Sequence, residues 1–200
     1  PTRRQPSPAP PVPTARATHG PITSSPHSLR NRLGRVLWGV CYAVLVRPSP
    51  RPFFGWRRFW YRLFGARLAG TARIYPRARV WAPWNLVMGP HATISEHVDV
   101  YNVEPITLGA RAAVSQYCFL CAASHDHEDP ALPLISAPIS IGDDAWVAAD
   151  VFVGPGVQIG AGTVVGARSS VFGSLPPWVV AKGTPARPAG PRRLPGRSPA

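Results

Sequence analysis

Residues 124–129 read Ser-His-Asp-His-Glu-Asp, two histidines and three carboxylates within six positions. These residue types serve three chemistries. Converging imidazoles and carboxylates can hold a metal ion, which takes about three or four ligands. One imidazole can act as a general base if a carboxylate or backbone carbonyl on its other nitrogen fixes the tautomer. A run of charged residues can also be a hydrated surface loop. The six letters do not separate these readings; the elements that position them must.

The chain has 200 residues and a net charge of +13, very unevenly placed. No acid precedes Glu96, and residues 1–95 hold fifteen arginines, leaving −2 for the remainder. The basic character therefore belongs to the N-terminal part. Three cysteines, Cys41, Cys118 and Cys121, are too few and too odd for a secreted disulfide scaffold and point to a reducing compartment. A transmembrane helix needs about 18 consecutive apolar residues. The nearest stretch, 33–46, is interrupted by Arg35, and no signal-peptide pattern fits.

Residues 1–27 are Pro, Ser, Thr, Ala and Arg with few large apolar side chains, which predicts a disordered tail. Residues 188–200, with Pro191, Arg192, Arg193, Pro195 and Arg197, predict a similar one. Between them, 28–66 reads as a basic, aromatic helical segment. Leu33, Val36, Leu37, Val40 and Leu45 carry a helical apolar pattern that Pro48, Pro50 and Pro52 break. A second helix follows, setting Phe53, Trp56, Phe59, Trp60 and Leu63 against Arg57, Arg58 and Arg62. That arrangement suits a helix on an anionic membrane surface, or one packed on the main domain with a solvated basic face. A basic helix without a recognisable fold motif is weak ground for nucleic-acid binding.

From Leu68 the pattern changes. Aliphatic residues recur every six positions: Leu68, Ile74, Val80; Met88, Ile94, Val100; Leu108, Val114, Leu120; then Ile135, Ile141, Val147, Val153, Ile159, Val165 and Val171. Dipeptide insertions at Leu86-Val87 and Ile106-Thr107 shift the phase, and a loop at about 122–138 interrupts it. Period six is neither helix nor ordinary sheet. It fits stacked coils in which each hexad is a short strand and a corner, the aliphatic pointing inward and small residues allowing the turn. Cys118 and Cys121 then fall at small coil positions, and the Cys-x-x-Cys spacing needs no redox or zinc reading. His91 and His97 share a hexad position but lie six apart, on successive faces, so they diverge.

The hexad run resembles the hexapeptide-repeat acyltransferases, and more narrowly the WcaF-type colanic acid biosynthesis acetyltransferases. The resemblance is carried by Arg47-Pro-Ser-Pro-Arg-Pro-Phe53, Trp84-Asn-Leu86, Tyr101-Asn-Val, Pro105-Ile-Thr-Leu-Gly109, Ala123-Ser-His-Asp126, Ala145-Trp-Val-Ala-Ala-Asp150, Val153-Gly-Pro-Gly-Val157 and Gly183-Thr-Pro-Ala-Arg187. It implies an all-β fold, a left-handed parallel β-helix over 67–187, against the usual right-handed crossover preference. It further implies a homotrimer moving acetyl from acetyl-CoA to a sugar or lipid-linked saccharide hydroxyl in exopolysaccharide synthesis. The expected location is cytoplasmic, peripheral at the inner face of the membrane.

By the same resemblance His125 is the catalytic base, with Asp126 a candidate to orient it and no metal expected. Asn102 and Tyr101 are candidates to place the acceptor or the oxyanion, although a turn asparagine bonded to backbone would look the same. Trp146 matches a tryptophan beside the thioester or a trimer contact. Ala148, Ala149 and Ala167 match the pantetheine channel, and Arg187 a phosphate ligand. Relatives often carry a basic pair before Pro176-Pro177, where this chain has Phe172-Gly173-Ser174; Lys182, Arg192 and Arg193 are the candidates to compensate. Other acceptors, an antibiotic or a serine, and a silent membrane-attached scaffold are the competing readings.

Overall fold

The computed structural model describes residues 28–193 and the backbone of a two-residue strand, Arg16–Ala17. The rest of the segment read as a disordered N-terminal tail, and residues 194–200 of the C-terminal one, lie outside the described residues. Arg16–Ala17 pairs antiparallel with Leu134–Ser136, and a strand Ala186–Pro191 carries regular structure past residue 187.

The hexads form three stacks of short parallel strands. One runs Arg67–Leu68, Leu86–Met88, Ile106–Leu108, Ile139–Ile141 and Gln158–Ile159; the next begins at Arg73–Ile74 and the third at Arg79–Val80. Leu68, Met88, Leu108, Ile141 and Ile159 are buried in one column. Ile74, Ile94, Val114, Val147 and Val165 fill the second, and Val80, Val100, Leu120, Val153 and Val171 the third. Each such side chain contributes roughly 1.5–3 kcal/mol of burial, realised only when its neighbours are present. Ile135 is the exception. It is half-buried and pairs with Ser124 in the inserted hairpin, so the inward series resumes at Ile141.

Coil length is not constant. Ile74 registers on Ile94 and Ile94 on Val114, twenty residues apart, whereas Val147 registers on Val165, eighteen apart. The two dipeptide insertions lengthen the early coils. As a result His97 meets Tyr117, their rings stacked at 5.2 Å and 9°. At the corners, non-glycine residues including His91, Arg111, Asp144 and Arg168 take φ near +58°. The coil also needs missing side chains: a Cβ on Gly109 would come within 2.6 Å of the Asp143 amide nitrogen in the coil above.

The first coil has no coil beneath it, and an exposed strand edge leaves carbonyls unpaired. Two helices close it. α1 (Leu29–Cys41), capped by the Ser28 hydroxyl accepting from the Asn31 amide, continues into a π-helical turn, Tyr42–Val46. α2 (Phe54–Leu63) follows the prolines. The Trp38 indole donates to Val80 O (2.8 Å), Arg57 Nε to Ile74 O (2.6 Å), Arg58 to Ala72 O (3.0 Å) and Arg62 to Leu68 O (2.7 Å). Arg57 is fully buried and also donates to Ser49 Oγ and Pro50 O. Arg57 is thus buried against the coil, while Arg58 and Arg62 donate to its edge carbonyls and keep solvent access at the rim. Among the described residues no helix is long and apolar enough to cross a membrane.

Candidate active site

The acidic segment is a hairpin set into the third coil. Ala123–His125 pairs antiparallel with Leu134–Ser136, His125 opposite Leu134. Its base is tied to the coil by Ala122 N–H to Tyr101 O (3.0 Å), Ala137 N–H to Ala122 O (3.0 Å) and the Ser136 hydroxyl to Glu104 (3.2 Å). Within the tip, carboxylates hold the turn. Asp126 Oδ1 accepts from the Glu128 amide (3.0 Å) and Asp129 Oδ1 from the Ala131 amide (2.8 Å). This is local side-chain capping that Asp supplies well. Among the described residues, no group of three or more His, Cys, Asp or Glu is arranged to hold a metal ion.

His125 is exposed, and its Nδ1 lies 2.7 Å from the carbonyl oxygen of Leu132. A carbonyl only accepts, so Nδ1 carries the hydrogen and, in the neutral ring, Nε2 keeps its lone pair. Leu132 reaches this position at φ +44°, a conformation fixed by its amide donating to Asp129 O (2.8 Å). The orienting group is therefore a backbone carbonyl and not Asp126, whose carboxylate faces the turn.

Asn102 is bonded to backbone. It is fully buried, its Oδ1 accepting from the Ala82 amide (2.9 Å) and its Nδ2 donating to Ala82 O (2.6 Å). It joins two coils. Tyr101, beside it, is half-buried, packs edge-on against Trp81 at 5.4 Å, and has its phenol pushed up by burial.

The expected cofactor residues gather along a different edge. Trp146 is about half exposed, and its indole donates to Ser115 Oγ of the coil below (2.9 Å). Ala148 donates to Val165 O (3.0 Å) and Ala149 O accepts from Arg168 N–H (3.0 Å), so Ala149 and Ala167 stack at one corner of successive coils. Higher on the same face lies the closing hairpin, Val179–Gly183 with Ala186–Pro191, in which Lys182 is opposite Arg187 and both are exposed. Strand spacing puts Lys182 about 10 Å and Arg187 about 14 Å along this edge from Trp146. Arg192 does not join them: its guanidinium donates to Asp144 O and Gly162 O (2.8 Å each) at another corner. Lys182 is the cation that sequence reasoning had placed only among alternatives.

The cysteines are spectators. Cys118 is buried, its thiol directed at Ala148 O (2.9 Å) and pushed up to about 11 by burial; Cys121 is half-buried and raised for the same reason. Neither is a ready thiolate.

Comparison with known proteins bears on the fold and the family. Residues 138–173 match the bacterial transferase hexapeptide (six repeats) model. The chain is 45% identical over 150 residues, 75% of its own length and 82% of the relative's, to the protein named colanic acid biosynthesis acetyltransferase WcaF of Escherichia coli (strain K12). Among solved structures it superimposes on the hexapeptide-repeat acetyltransferase VCA0836 of Vibrio cholerae complexed with acetyl coenzyme A, with a TM-score of 0.74, 26% identity, and 85% and 93% of the two chains covered. The maltose O-acetyltransferase of Clostridium difficile 630 gives a TM-score of 0.74 at 21% identity, over 84% and 90% of the chains, and so shares the fold. Folded as a left-handed parallel β-helix and alike over most of both chains, the protein belongs to the WcaF-type hexapeptide-repeat acetyltransferases.

Proposed function

We propose that this acetyl-CoA-dependent acetyltransferase acts on a hydroxyl of a sugar or lipid-linked saccharide precursor, with His125 as general base. The observation that carries the reading is the Nδ1–Leu132 hydrogen bond, which leaves Nε2 as an acceptor on an exposed ring. Nε2 takes the hydroxyl proton as the oxygen attacks the thioester carbonyl. The tetrahedral intermediate collapses, the carbon–sulfur bond breaks, and the CoA sulfur leaves with the proton returned by the imidazolium. Such a base is worth about 10²–10⁴-fold. The Leu132 carbonyl keeps its hydrogen bond throughout and faces the positive ring while the charge exists.

Trp146, Ala149 and Ala167, with Lys182 and Arg187 at the top, fit an extended thioester chain ending in phosphates. Within one chain this edge follows the Trp146–Val147 strand, whereas His125 follows Phe119–Cys121, one face of the prism further on. A homotrimer in which the hairpin of one copy meets the cofactor edge of the next unites them. That arrangement, and work at the membrane where lipid-linked saccharides reside, belong to this reading. Incubation with acetyl-CoA and lipid-linked saccharides should yield a product heavier by one acetyl group in a mass spectrum. His125→Ala should keep the melting temperature and lose at least about a hundredfold in turnover. Near-normal turnover in that variant would remove the mechanism.

A further inference from the structure

The helical cap carries an apolar stripe on its outer side. Leu29, Leu33, Val36, Leu37 and Val40 of α1, and Val44 of the π-helical turn, are each 60–74% exposed. Their spacings of three and four place them on one side, opposite Trp38, which is 3% exposed against the coil. Six adjacent aliphatic side chains open to water are what an interaction surface looks like, not a monomer's ordinary exterior.

Charge selects the occupant. Residues 28–95 contain twelve arginines and no acid. Arg30, Arg32 and Arg47 flank the stripe and are exposed. Two copies meeting end to end through this cap would set these cations against one another. On the rim of the same end, Arg58 and Arg62 line an open cavity of about 410 Å³ with Gly55, Phe59, Leu63 and Gly70. Guanidinium groups beside apolar walls suit a phosphate-bearing headgroup above its acyl chains.

We propose that α1 docks the enzyme on an anionic lipid bilayer, its aliphatic stripe in the boundary between headgroups and acyl chains and its flanking arginines on the phosphates. A helix about 20 Å long lying in the interface gains from both terms. This differs from the membrane reading of the sequence in the apolar face, which α1 supplies in place of the aromatics of α2, and in Arg57, which is committed to the coil. The docking surface is independent of the role of His125, and the test involves no acetyl transfer.

The full chain is sedimented with vesicles of phosphatidylcholine alone and of phosphatidylcholine with about one third phosphatidylglycerol. Wild type should bind the anionic vesicles at least about tenfold more tightly than the neutral ones, and release as salt shortens the screening length. Leu33→Ser/Val36→Ser/Val40→Ser should keep the melting temperature and lose at least about tenfold in binding. Arg30→Gln/Arg32→Gln/Arg47→Gln should lose about fivefold per arginine. If the triple serine variant unfolds, Leu33→Ser alone should still weaken binding about threefold or more. Equal binding by wild type and the stripe variants, or no binding by wild type, would overturn the proposal. So would a stripe substitution that changes sedimentation of the protein without vesicles, since the occupant would then be a second copy.

Discussion

The ring of His125 donates from Nδ1 to the carbonyl of Leu132 across 2.7 Å. Six residues of turn, 126–131, separate the two. The carboxylates of Asp126 and Asp129 hold that turn, so the acid-rich segment contributes geometry, and in the proposed mechanism the chemistry rests on one imidazole.

Asp129→Ala removes the acceptor for the Ala131 amide and loosens the turn that presents Leu132. Turnover should fall about tenfold while KM for acetyl-CoA stays within about twofold, because ring orientation is lost and the cofactor edge is untouched. Asp129→Asn, which keeps the accepting oxygen, should restore most of the rate. A rise in KM with unchanged kcat would place Asp129 in binding instead.

Asn102→Ala should read as a stability change. It leaves the amide of buried Ala82 without a partner and its carbonyl with the Asn85 amide alone. The expected cost is about 1–3 kcal/mol in denaturant unfolding. KM for the acceptor should not move in the folded fraction. A stable variant with a raised acceptor KM would return Asn102 to the acceptor site.

Arg57→Leu strips donors from Ile74 O, Ser49 Oγ and Pro50 O at the first coil. A loss of about 3–5 kcal/mol is expected, with hydrogen exchange quickening first in the coil from Arg67–Leu68 to Arg79–Val80. Unchanged protection there would show that the helices, rather than the arginine, close the end.

The Cys118 thiol gives a pH signature. Burial raises it from 9.0 to about 11 in the folded protein, so the native state holds its proton more tightly than the unfolded chain. Its contribution to stability is complete below pH 9 and declines as pH rises toward 11, by on the order of 2–3 kcal/mol. The slope of unfolding free energy against pH should therefore be steeper between those values for wild type than for Cys118→Ala. Parallel slopes would mean that the thiol is not desolvated.

The coil was legible in the sequence because its signal repeats: fifteen of the sixteen aliphatics placed in register occupy the inner columns. Ile135 failed because it continues the count of six inside an antiparallel hairpin whose strands obey a period of two. Alternation in α2 showed that arginines and aromatics occupy opposite sides, but not which side faces the coil. That choice is made by edge carbonyls that no residue type announces. The same limit hid Leu132, since a backbone carbonyl carries no letter, and let Asp126 stand as the candidate. His125 is proposed as the base on the resemblance around Ala123-Ser-His-Asp126, not on its six-residue neighbourhood.

The central claim is a site composed of His125 from one copy and the Trp146–Arg187 edge from another. It is tested most directly by mixing two inactive variants, His125→Ala and Lys182→Glu/Arg187→Glu, under conditions that exchange subunits. Random assembly of trimers leaves roughly a quarter of the sites with both partners intact, so activity should recover to about that fraction of wild type. Mixtures that exchange subunits and stay as inactive as either parent would contradict the shared site.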